Sequence, residues 1–291
     1  MKKSLLPLLL TACPLLAGTA APTPPANSPQ DGSGQGWTLD LEVLFLRTFQ
    51  GNNSFTDEDF DFGGRAALGY QFKDGWFTKA SYFGYHPGGR SETFEAFSND
   101  LGGNALFDER FNLESSYVDW TVGRNFKPSP DWSLSPSLGL RWATFEENFS
   151  KHEDDGMGGI HQHNEQAKFE GLGIVAGLDA VRALGKGFSL YGTAKASVMF
   201  GKNDYSRNEV MIMPGMPIDN SQVNNRDDKV VTITELGLGV QYDFTFSNIM
   251  ANVRLGVEGQ LWTGLDNSQS EMSLAKNNEI AGFVLGVNFR F

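Results

Sequence analysis

Between Trp37 and Phe291 apolar residues return at every second position in ten segments, and this alternation limits the fold more than any other feature of the chain. The segments lie near 37–48, 59–72, 75–85, 113–126, 132–146, 168–183, 187–200, 229–244, 249–262 and 279–291. A period of two sends successive side chains to opposite faces of a strand, and no stretch of comparable length has helical spacing. In "WSLSPSLGLRW", Trp132, Leu134, Pro136, Leu138, Leu140 and Trp142 alternate with serines, Gly139 and Arg141. The closing stretch "AGFVLGVNFRF" repeats the pattern, with Ala281, Phe283, Leu285, Val287, Phe289 and Phe291 on one face.

The connections separate a soluble sandwich from a membrane barrel. "KDG", "KPSPD", "LGKG" and "TFSN" are short turns, whereas 49–59, 87–112, 148–166, 201–228 and 263–278 are long and polar, and the two kinds alternate strictly. A sandwich has no reason to sort its loops by parity, while an outer-membrane barrel has short periplasmic turns and long external loops. The predicted fold is therefore all-β, a closed antiparallel transmembrane β-barrel of about ten strands, with eight or twelve as alternatives. Outward aromatics fit two interfacial girdles: Trp37, Tyr70, Trp76, Trp132, Phe188, Tyr242 and Phe289 at short-turn ends, and Phe45, Phe60, Tyr82, Trp142 and Phe200 at long-loop ends. Ten residues of strand from Trp132 to Trp142 span about 34 Å, or about 26 Å across a bilayer at a tilt of about 40°.

The first residues, "MKKSLLPLLLTACPLLAGTAA", place Lys2 and Lys3 before an apolar run that closes on small residues. Residues 1–20 read as a signal peptide, cleaved after Ala20 or Ala21, with lipidation of Cys13 in "LTAC" as the alternative. Residues 21–36 read as a flexible periplasmic lead-in, and 37–291 as the barrel. Cys13 is the only cysteine, so a cleaved chain has neither disulfides nor a cysteine metal site. A net charge of −12 argues against a nucleic-acid partner. Closure requires the last strand to pair with the first, which puts Phe291 at the periplasmic interface, where it resembles the terminal aromatic signal read by the barrel assembly machinery.

At "ALGYQFKDGWFTKASYF", "ESSYVDWTVGRNF" and "FEGLGIVAGLDAVRALGKGFSLYGTAKASVMFG" the chain resembles the Legionella-type major outer-membrane protein family of pore-forming barrels. The likeness extends from Trp37 to Phe291 and rests on glycine and aromatic spacing. It implies an outer-membrane, porin-like pore for small solutes or ions. The disulfide cross-links of the family's namesake do not carry over.

The inward parity collects Asp40, Glu42, Arg65, Lys79, Asp119, Arg141, Asp179, Lys195, Glu235, Arg254, Glu258 and Arg290. A charge facing lipid at mid-depth costs about 2–4 kcal/mol, so these residues share the lumen. Either they bridge one another and plug a narrow barrel, or they line a water path and set its ion preference. On the second reading, neutralising Arg141 or Glu258 changes selectivity before stability. All four histidines, His86, His152, His161 and His163, fall in long connections. His161 and His163 with Asp154 and Asp155 form a candidate metal set, set against a solvated loop; no metal and no cofactor is expected. An omptin-like protease, using Asp57 and Asp59 against Asp155 and His163, and a structural or adhesin barrel are the other readings; no catalytic residue is assigned. The expected partners are outer-membrane lipid and lipopolysaccharide, the assembly machinery, and small solutes or ions.

Overall fold

The structure, a computed structural model, describes residues 35–50, 60–246, 249–265 and 277–291. The signal peptide, nearly all of the lead-in, Asp57, Asp59 and most of 263–278 lie outside the described residues. The described chain forms β1 (Gly36–Gln50), β2 (Asp61–Gln71), β3 (Trp76–Tyr85), β4 (Arg90–Ser98), β5 (Gly103–Arg124), β6 (Phe126–Ser129), β7 (Trp132–Asp154), β8 (Ile160–Gly185), β9 (Phe188–Ile212), β10 (Asp219–Phe246), β11 (Ile249–Thr263) and β12 (Asn277–Arg290).

Ten of these strands close a wall in the order β1-β2-β3-β5-β7-β8-β9-β10-β11-β12, each antiparallel to the next. The seam joins β12 to β1 from Thr38↔Arg290 to Gln50↔Asn278. At its foot the Phe291 N–H donates to the Trp37 carbonyl at 3.0 Å, which leaves Phe291 at the periplasmic end of the wall. The other two strands are not staves: β4 makes a hairpin with the outer end of β5, and the four-residue β6 lies against the start of β7. Tight reversals join β2 to β3 and β8 to β9 on the periplasmic side. Gly185, Lys186 and Gly187 all take positive φ, at 97°, 54° and 83°, so the β8–β9 turn depends on its two glycines.

The register assigns every strand one outward and one inward face. Outward Trp120, Leu138, Ile174, Leu255 and Phe283 are each more than half exposed, as befits side chains that meet lipid. Aromatics pack at both margins: Trp37 on Tyr70 and Phe188 on Tyr242 at the periplasmic end, with ring centroids 5.1 and 4.9 Å apart, and Phe60 on Phe283 at 5.6 Å at the other. The wall also curves sharply. Inward Gly139 and Gly173 lie so close to their neighbours that a Cβ on either would stand 2.0 Å from the carbonyl oxygen of Trp120 or Val198.

The external side corrects the expected loops. The connections 148–166 and 201–228 are mostly strand: β7 and β8 stay paired out to Asp154↔Ile160, and β9 and β10 out to Met211↔Asp219. Only the tips at 155–159 and 213–218 lie outside the strands. The segment 87–112 likewise contains β4 and the outer half of β5. Beyond the lipid band both faces of a strand are polar or mixed, so the alternation fades while backbone pairing continues.

Broad-specificity protease added to intact cells should therefore cut this wall at its tips, where Met157 and Met216 are strongly exposed. N-terminal sequencing of the fragments should place cleavage within 155–159 and 213–218; cuts at 164–168 or 201–209 would contradict the paired wall.

Candidate functional site

All twelve charged residues named above fall on the inward parity. The register sets this from strand to strand: Glu42 lies opposite Arg65, Asp119 opposite Arg141, Lys195 opposite Glu235, and Asp179 opposite Thr193. Inside a ten-stranded wall these side chains reach one another across the barrel.

Seven of them form one belt. The Arg65 guanidinium contacts Glu42 at 2.5 Å and grips Glu258 through both terminal nitrogens at 3.0 Å each. Arg141 makes a fork-to-fork pair with Asp119 at 2.6 and 2.8 Å, and its third nitrogen pairs with Glu235 at 2.6 Å. Lys195 stands 3.5 Å from Asp119. The Tyr117 hydroxyl donates to Glu235 at 2.6 Å, and the Arg141 guanidinium lies 3.8 Å from the centre of the Tyr117 ring. Planar bidentate geometry and the aromatic face suit arginine here where lysine would not serve. Arg141 is fully buried and Asp119 nearly so, which means these charges meet each other and not a water column.

The belt has a different neighbour on each side. Towards the periplasm, Asp40, Asp179, Lys79, Arg254 and Arg290 join Thr38, Ser133 and Ser135 in lining a vestibule of about 640 Å³. Between this vestibule and the belt only about 70 Å³ is free. On the external side the same inward parity turns apolar: Leu44, Phe83, Phe145, Phe169, Met199, Ile233 and Trp262 are buried in one cluster. Phe83 stacks on Tyr117 at 4.7 Å, and Phe145 packs on Trp262 at 5.3 Å. Above this layer Asn278 of β12 donates to Glu147 of β7 at 3.1 Å, across the barrel. The described side chains thus close the lumen from the belt outwards.

A family model described as the Legionella pneumophila major outer membrane protein precursor matches residues 31–291. The chain belongs to this Legionella major outer membrane protein family. Its members are outer-membrane proteins, which places the barrel in the outer membrane with its short turns in the periplasm. No curated protein sequence matches the chain. Among solved structures, the chain is similar to the outer membrane protease OmpT from Escherichia coli at 13% identity and a TM-score of 0.50, covering 88% of this chain and 97% of that one. It is also similar to a major outer membrane protein from Thermus thermophilus, at 12% identity and a TM-score of 0.39, covering 88% and 99%. A third similarity is to the Pseudomonas putida toluene transporter TodX, at 10% identity and a TM-score of 0.32, covering 94% and 95%. At these identities the resemblance to OmpT speaks for the barrel fold alone.

The expected placement of the histidines needs correction. His161 and His163 are not in a solvated loop; they are buried on the inward face of β8, at 4% and 5% exposure. Asp154 and Asp155 do not join them, because their carboxylates accept backbone N–H groups of the tip turn, from Gly156 at 2.8 Å and from Met157 and Gly159 at 2.7 and 2.8 Å. His163 pairs with Glu165 at 2.8 Å, while the Asp155 carboxylate is held by the tip turn. Neutralising Arg141 is expected to cost stability as well as to alter selectivity, because it withdraws one cationic partner from each of the buried carboxylates Asp119 and Glu235. The apolar layer was missed, although "VLFL" at Val43–Leu46 carries its signal: the period of two is lost because both faces are apolar.

Removing one partner of a buried ion pair costs about 3–5 kcal/mol, because the other charge stays buried alone. Arg141→Gln should lower the urea midpoint of the folded barrel, read by heat-modifiable gel mobility, well beyond Asp179→Asn in the vestibule. A wild-type midpoint for Arg141→Gln would show that the belt is not closed as described.

Proposed function

We propose that this outer-membrane barrel is a porin-like pore for small solutes or ions, shut in the described conformation by the belt and the apolar layer above it. The observation that carries this reading is the vestibule. A wet, charged mouth open to the periplasm reaches the belt, and Asp40, Asp179, Lys79, Arg254 and Arg290 face it. A barrel with only a structural task gains nothing from such a mouth, and an apolar filling costs less than buried ion pairs. Apolar constrictions gate by excluding water, so opening needs displacement of Phe145 and Trp262 together with a rearrangement of the belt. The reading assigns no catalytic residue and no cofactor.

A structural or adhesin barrel is the second reading, favoured by the filled lumen and by the tall paired wall from β7 to β10. Planar-bilayer recording separates the two. Wild type should give brief, discrete channels, and Phe145→Ala combined with Trp262→Ala should give longer or larger ones. Arg254→Gln and Asp179→Asn should move the reversal potential in opposite directions, towards cations and anions respectively, since both residues face the vestibule. Folded wild type and folded double variant that both stay silent across salt and voltage would leave the structural reading in place.

A further inference from the structure

Outside the membrane, three strands and one hairpin tip converge on a pair of buried imidazoles. Register places Glu153 of β7 opposite His161 of β8, and Glu209 of β9 opposite His163. His161 Nε2 lies 2.9 Å from a Glu209 carboxylate oxygen. Its Nδ1 lies 3.3 Å from Glu153 and 3.2 Å from Asp100 in the turn between β4 and β5. His163 Nε2 lies 2.8 Å from Glu165. One ligand atom each from His161, His163 and Glu209 fall within 4.8 Å of one another.

Four carboxylates surround the two rings; Lys151 pairs with Glu153, and Arg207 of β9 lies opposite Glu165 in the register. Glu153 takes contacts from Lys151, from the Ser98 hydroxyl and from His161 Nδ1, and an Nδ1–H donated to it leaves Nε2 turned towards Glu209. Glu165 does the same for His163 through Nε2–H, leaving Nδ1 as that ring's ligand nitrogen. A carboxylate behind each histidine is the arrangement that orients metal-bound imidazoles and raises their basicity.

We propose that His161, His163 and Glu209 bind a divalent transition metal of the zinc class, with Glu153 and Glu165 holding the two rings from behind. Tetrahedral zinc with nitrogen ligands needs ligand atoms about 3.3 Å apart, a contraction within reach of side-chain rotation on adjacent strands. The metal sits between His161 Nε2 and the Glu209 carboxylate, which face each other at 2.9 Å. Water completes the coordination. The Glu209 and Asp100 side chains are 28% and 45% exposed, which gives an ion a way in from the external medium. Glu153 is eleven residues beyond Trp142 on β7, about 28 Å further out, so the site braces the external wall and is independent of the pore reading.

The test uses the full folded protein in detergent, stripped of metal with chelator, and titrates it with Zn²⁺ by calorimetry and with Co²⁺ by visible absorption. Wild type should bind one Zn²⁺ per chain, and Co²⁺ should develop the d–d bands of a low-coordinate nitrogen and oxygen site. His161→Asn and His163→Asn should abolish both signals, Glu153→Gln should weaken Zn²⁺ binding by about 10–100-fold, and His86→Asn and His152→Asn should leave it unchanged. Heat-modifiable mobility confirms that each variant is folded. Absence of saturable Zn²⁺ binding by wild type, or wild-type binding by folded His161→Asn, would overturn the site and leave an ion-pair network only.

Discussion

Every backbone N–H and C=O that crosses hydrocarbon must be paired within the protein, because lipid offers no partner. The seam between β1 and β12 meets this requirement for the last free edge. Closure couples the two ends of the chain and makes the strand count even. It also turns the period of two into a division between lipid and lumen, since each side chain belongs to one or the other. The charged residues therefore have only one place to go.

Ten strands enclose little space, and the consequences appear in the interior. Side chains long enough to reach the axis meet there, so arginines from β2 and β7 each hold carboxylates from other strands. Charges withdrawn from water must be matched, and the forked guanidinium pairs achieve this. On the external side the same wall turns large aromatic and aliphatic groups inwards and excludes water. On the periplasmic side it leaves room for solvent around Arg254 and Asp179. One wall thus supplies a charged mouth, an ionic belt and a dry layer in sequence.

The membrane-spanning part was legible in the sequence because lipid imposes a strong outward signal. Trp132, Leu138 and Trp142 could be assigned to the outside from alternation alone, and Arg141 and Asp119 to the inside. What alternation could not supply was which inward charges meet, since that depends on a register across non-adjacent strands such as β2 and β11. Nor did it reveal the external wall. Beyond Trp142 no lipid enforces a contrast between faces, so "NFSKHED" reads as a loop although it is paired strand. His161 and His163 were misplaced for the same reason. Their burial comes from Glu153 and Glu209 on neighbouring strands and from Asp100 at a hairpin tip, contacts that no local pattern announces.

The central claim is that the wall faces lipid outside and packed side chains inside. Spin labels on single cysteines through 133–145, omitting Arg141, test it most directly. Accessibility to oxygen, which concentrates in lipid, should oscillate with a period of two and peak at even positions such as Leu138. A water-soluble nickel complex should reach Ser133 in the vestibule but not Ala143 or Phe145. Access of the nickel complex to Ala143 and Phe145 equal to that at Ser133 would mean an open lumen, and loss of the two-residue oscillation would contradict the barrel itself.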